Sequence, residues 1–141
     1  MTTKEYLHQA YRLDKKINSD IAELAMLQEM AGSISSPQLG ERVQTSKNND
    51  APFVKAIEKI FELEELINEE IDAFVDLKRE IRGVIETVGN TEEQMVLRYR
   101  YIHNKTWEAI ADELYVDART VRRWHNKALA HVVLPKNPKK I

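Results

Sequence analysis

Arg119, Arg122, Arg123 and Asn126 stand at steps of three and four in "DARTVRRWHNKAL", the stretch from Asp117 to Leu129. On a helix these four side chains share one face. Guanidinium and carboxamide groups make two-point hydrogen bonds to planar edges, and guanine and adenine present such edges in the major groove of double-stranded DNA. The chemistry expected of this row is base reading. Lys127, Lys136, Lys139 and Lys140 follow, and their ammonium groups suit phosphates, which add affinity without sequence information. Thr106, ahead of the preceding helix, joins the phosphate set.

Other chemistries find little support. Cysteine is absent, which excludes disulfides and thiolate catalysis. His125 and His131 are six apart, the wrong spacing for two ligands on one helical turn, and His8 and His103 have no cysteine nearby. The carboxylate-rich "ELEEL" and "NEEID" lie between apolar positions of a long helix and read as solvated faces rather than acid–base pairs. No Gly-rich phosphate loop or nucleophile motif occurs. We therefore expect no enzyme, no cofactor and no metal site.

Three short helices must position the arginine row. Thr91 is the expected cap of the first, with Gln94 completing a capping box, and Met95, Val96, Leu97 and Tyr99 turned inward. Tyr101 and His103 are read as exposed. Thr106 caps the second, whose buried set is Trp107, Ile110, Ala111 and Leu114. Asp117 caps the third, with Val121, Trp124 and Ala128 inward. Both tryptophans are read as core rather than as stacking platforms. Asp112 and Glu113 face away from the arginine row, either solvated or open to a polymerase subunit. Helix, short turn, helix is the helix-turn-helix plan.

The stretch "MVLRYRYIHNKTWEAIADELYVDARTVRRWHNKAL" resembles region 4 of sigma-70-type transcription factors. The matching features are Leu97-Arg98-Tyr99, Thr106-x-Glu108, Ile110-Ala111, Leu114-x-Val116, Thr120-Val121-Arg122-Arg123 and Ala128-Leu129. The order of long helices, loop and sigma-like module also resembles small bacteriophage regulators of the RinA/ArpU type, which activate late or packaging genes. The resemblance maps the recognition positions onto Ala118, Arg119, Arg122 and Arg123. Principal sigma factors carry a glutamate where this chain has Arg119, so their base preference does not transfer. Tyr115 stands where many helix-turn-helix turns have glycine, so a slightly different turn is expected. Nothing in residues 1–90 resembles a promoter-melting region.

The rest of the chain is of opposite charge. Residues 1–90 hold 11 Lys+Arg against 17 Asp+Glu, and residues 91–141 hold 10 against 6. An acidic body is repelled by DNA and leaves the basic module as the surface that docks. The first helix is expected from about Thr3 to Ala31, and residues 32–51 as a flexible loop. Asp50 is the expected cap of a long second helix, with Pro52 in its first turn. Phe53, Ile57, Ile60, Glu64, Ile67, Ile71, Phe74, Lys78, Ile81, Ile85 and Val88 then alternate four and three, a seam roughly 54 Å long. Phe61 and Val75 flank it on one side, and Leu63, Leu77 and Val84 on the other, so the apolar face contacts more than one helix.

The seam residues Ile57, Ile60, Glu64, Ile67, Ile71, Phe74, Lys78 and Ile81 are the candidate oligomerisation set. Glu64 and Lys78 either set the register of an antiparallel homodimer or snorkel to the rim of an intrachain bundle.

The expected architecture is all-α. Residues 1–90 form a long helical hairpin or coiled coil for oligomerisation and partner binding. Residues 91–134 form the helix-turn-helix module, and 135–141 a basic tail. With no apolar N-terminal run and no stretch near 18 apolar residues, a cytoplasmic location in a bacterial host cell and no membrane partner are expected. The expected function is sequence-specific binding of double-stranded DNA as a homodimer or higher oligomer, in transcription regulation, with host RNA polymerase a further partner. The alternatives are an adaptor that binds polymerase or another phage protein without reading DNA, and a small subunit of a DNA-packaging machine.

Overall fold

A computed structural model describes residues 1–35 and 46–141. Five α-helices form, with no strand among the described residues: α1 (Thr3–Ser35), α2 (Ser46–Glu86), α3 (Thr91–Leu97), α4 (Trp107–Leu114) and α5 (Ala118–His131). A π-helical turn, Arg98–Ile102, continues α3. The chain is all-helical, as its period-3.6 patterning and shortage of glycine and proline require.

Thr2 and Glu5 open α1 as a capping box. Thr2 Oγ1 accepts from the Glu5 amide at 3.1 Å, and the Thr2 amide donates to Glu5 Oε2 at 3.0 Å. Of the loop expected over residues 32–51, residues 32–35 belong to α1 and 46–51 to α2. The remainder of that loop, 36–45, lies outside the described residues. Asp50 is accordingly inside α2 rather than at its cap, and Pro52 is within the helix.

Two compact units form, and their division does not fall at residue 90. The first comprises Met1–Asp14 and Ala73–Ile141, the second Lys15–Asp72. In the first, Tyr6, Leu7 and Ala10 of α1 and Leu77, Ile81, Val84, Ile85 and Val88 at the end of α2 form one core with Leu97, Tyr101, Ile102, Ala128 and Val132. The short helices therefore pack on the ends of the long ones. Within the chain the Lys78 ammonium donates to the Ile102 carbonyl at 2.6 Å, and burial lowers its pKa. That bond satisfies a carbonyl beside the π turn. Ile81 is fully buried and Phe74 packs against the same core.

In the second unit Ile17, Ala31, Ile60 and Ile67 are buried. Glu70 is also buried and is held by Lys16, which bonds Asp20 at 3.3 Å as well. Ile57 is half-buried and Glu64 is exposed. Apolar side chains remain in solvent here: Ile21, Met26, Met30, Val54, Phe61, Leu66 and Ile71 are all exposed. No helix among the described residues is long and apolar enough to cross a membrane.

Candidate nucleic-acid interface

Asn90, not Thr91, caps α3, its side chain accepting from the Glu93 amide at 3.0 Å. The shift by one residue frees the Gln94 side chain from capping. Its amide nitrogen reaches the carbonyls of Ile85, Glu86 and Val88 at 3.5, 3.3 and 3.2 Å, so it closes the C-terminal end of α2 rather than a capping box.

The π turn then re-aims the chain. His103's amide bonds back to the Arg98 carbonyl at 3.1 Å, the longer-range pattern of a π bulge. The extra residue rotates Tyr101 into the core. Tyr101 is therefore buried, not exposed, and its hydroxyl lies 2.6 Å from Nε2 of His125, itself 4% exposed on α5. Burial pushes the Tyr101 phenol up to about 12 and the His125 imidazole down to about 4. Trp107 meets the edge of the His125 ring at 4.7 Å and carries the Arg100 guanidinium 4.1 Å from its own ring centre. Arg100 also donates to the Lys105 carbonyl at 3.0 Å, fixing the link into α4. Of the other expected surface residue, His103 is exposed as read.

Thr106 caps α4, its hydroxyl accepting from the Ala109 amide at 3.1 Å. Asp117 caps α5, accepting from the Thr120 amide at 2.8 Å. Hydrogen bonding from the Thr120 side chain and then its amide, with Arg123 and Arg119 nearby, lowers the carboxyl's pKa. Between the helices, Tyr115 takes the left-handed conformation at φ 57°, ψ 42°. The turn thus keeps the backbone that glycine usually supplies, with tyrosine in its place and 94% exposed. Val116 folds under, its amide bonding the Ala111 carbonyl at 3.1 Å. Val96, Ile110, Ala111 and Val121 form the core of this pair, with Trp107, Leu114, Val116 and Trp124 packed around it.

With Val121, His125 and Ala128 buried, the opposite face of α5 is left to solvent. Arg119, Arg122, Arg123, Asn126 and Lys127 are all exposed there. From Arg119 to Asn126 the row is roughly 11 Å long, a length that fits within a major groove about 12 Å wide. Arg122 has an acidic neighbour, Glu108 of α4, at 3.9 Å. Asp112 and Glu113 are exposed on α4, Glu113 within 3.6 Å of Lys105. Lys136, Lys139 and Lys140 are exposed, but they are not on a free arm. The backbone of Lys139 is bonded on both sides, to Gln9 and to Glu80.

A family model described as "Protein of unknown function (DUF722)" matches residues 6–132. The chain belongs to this family. The DUF722 match runs from the first turn of α1 through α2 and the whole three-helix module. No curated protein matches the chain, and no solved structure does. Among the described residues of this DUF722 protein, no group of three or more His, Cys, Asp or Glu is arranged to hold a metal ion.

The buried Tyr101–His125 pair is the contact that sequence reasoning missed. A signal existed: His125 lies one position from the inner-face residue Trp124, within the arc that Val121 and Ala128 define.

Proposed function

We propose that this DUF722 protein is a sequence-specific regulator of transcription that binds double-stranded DNA. One observation carries the reading: α5 presents Arg119, Arg122, Arg123 and Asn126 on a solvent face, while its other face is fixed by Val121, His125 and Ala128. These are the side chains that make two-point contacts to guanine and adenine edges. Two capped helices joined by a left-handed turn residue give them a rigid mount. Lys127 is the adjacent phosphate contact. The resemblance to sigma region 4, and the order of elements seen in phage late-gene activators, supports the same reading and makes host RNA polymerase a candidate partner.

One such module buries limited surface, so specific affinity normally needs two copies on paired half-sites. The exposed Val54, Phe61 and Ile71 of α2 support a homodimer, because apolar side chains repeated along one helix favour a partner.

The deciding experiment is selection of bound sites from random duplex DNA. An enriched palindrome is the expected result. No enrichment would sink the reading and favour an adaptor. At a selected site, Arg122→Ala or Arg123→Ala loses roughly 1–3 kcal/mol, whereas Lys127→Ala weakens all sequences alike. Light scattering reads the assembly: a dimer is expected, and a large ring favours a packaging subunit.

A further inference from the structure

The segment after α5 is fastened by its backbone. Val132 is buried and Leu134 packs against the first core. Beyond them little apolar surface is hidden, and Ile141 is 57% exposed. The attachment is polar instead. Gln9 Nε2 donates to the Lys139 carbonyl at 2.9 Å, and the Ile141 amide donates to Gln9 Oε1 at 2.8 Å. The carboxamide thus pairs with the backbone on either side of Lys140, as a neighbouring strand would. The Lys139 amide donates to Glu80 Oε2 at 3.0 Å, an oxygen that also accepts the Tyr6 hydroxyl at 2.7 Å.

None of these bonds uses a lysine side chain, so the site holds the segment while leaving Lys136, Lys139 and Lys140 exposed. Gln9 is itself held in place, being 9% exposed and donating also to the Tyr6 carbonyl at 3.2 Å. Pro135 and Pro138 flank a bend at residues 136 and 137 and restrict the backbone on either side of it. Released at Leu134, seven residues reach at most about 25 Å. Lys127, the phosphate contact on α5, is only five residues before Val132, roughly 7.5 Å along the helix.

We propose that residues 135–141 are a releasable strap, docked on Gln9 and Glu80 in the free protein and transferred to DNA phosphates when α5 engages a duplex. The proposal rests on the DNA-binding reading above. Three hydrogen bonds with little apolar burial make an attachment that opens locally. Three ammonium groups give the open strap a strong electrostatic reason to lie on a polyanion. Closed, the strap keeps those exposed charges tethered beside Gln9 and Glu80; open, it carries them to the duplex and adds sequence-independent affinity.

The test uses the full chain and a random-sequence duplex as probe. Amide hydrogen exchange at Lys139 and Ile141 is followed with and without the duplex. The salt dependence of binding is measured for the wild type, Gln9→Ala, and the triple variant Lys136→Gln/Lys139→Gln/Lys140→Gln. In the wild type, the duplex should accelerate both amides by about tenfold or more. Gln9→Ala should exchange fast without DNA and bind more tightly. The triple variant substitutes exposed side chains only and keeps the docked backbone. It should flatten the salt slope by about 2–3. A bound duplex that leaves both amides protected, with the triple variant binding like the wild type, overturns the strap while DNA binding stands. Absence of duplex binding in every variant overturns both.

Discussion

His125 ties α5 to the π turn through Tyr101, and burial keeps its imidazole neutral down to about pH 4. In the unfolded chain the same ring takes up a proton near pH 6.5. Between those values the unfolded state binds the extra proton, so stability is full above about pH 6.5 and falls as the pH drops towards 4. The contribution lost is about 3 kcal/mol at most. Denaturant unfolding at pH 7 and at pH 4.5 checks this: the wild type should lose more stability than His125→Gln over that interval. Parallel losses would place the acid sensitivity elsewhere. Tyr115 shows the opposite kind of local cost. Its left-handed backbone costs roughly 1 kcal/mol, and a side chain 94% exposed makes no compensating contact. Propensity alone favours an altered turn at this position. The observed turn instead keeps the left-handed residue, with Val116 and Val121 packed into one core across it.

Among the elements, the junction of α2 and α3 depends on one side chain. Gln94 donates towards three carbonyls at the end of α2, the groups a helix terminus leaves unsatisfied. Gln94→Ala should cost about 1 kcal/mol. Gln94→Glu should cost more, because a carboxylate facing carbonyl oxygens repels them. Thermal melting of both variants measures the order, and an equal or smaller loss for the glutamate would refute the donor role. The caps at Thr106 and Asp117 are legible in the sequence because each is a single residue bonding three positions ahead. Asn90 and Thr91 are not separable on that criterion, as both are capping types in adjacent positions. The π turn is not legible either. It is selected by the burial of Tyr101 and Ile102 against residues from α1, α2 and α5, contacts that no local periodicity encodes. The arginine row is readable early, because a three-and-four spacing needs only a helix.

For the whole molecule, the seam of α2 is legible as apolar but not as divided. Ile60 and Ile67 are buried in one unit, Ile81 in the other, and Ile71 stays exposed. Periodicity reports which face is apolar, not what covers it. The unit carrying the arginine row also contains Leu7, fully buried although it precedes that row by over a hundred residues. Leu7→Ala should cost about 2–5 kcal/mol and abolish duplex binding near the melting temperature of the variant. A loss below about 1 kcal/mol, by calorimetry, would mean that the module stands without α1.

That dependence has a consequence for synthesis. Leu7 leaves the ribosome long before Ala128 and Val132, which complete its core. At synthesis rates of about 5–20 residues per second the interval is about 6–25 s. Tyr6, Leu7 and Ala10 lack the cover of Ala128 and Val132 throughout it, which leaves apolar surface open to chaperones. A message truncated before codon 128 would yield a product whose core is never completed and whose exposed apolar surface favours aggregation.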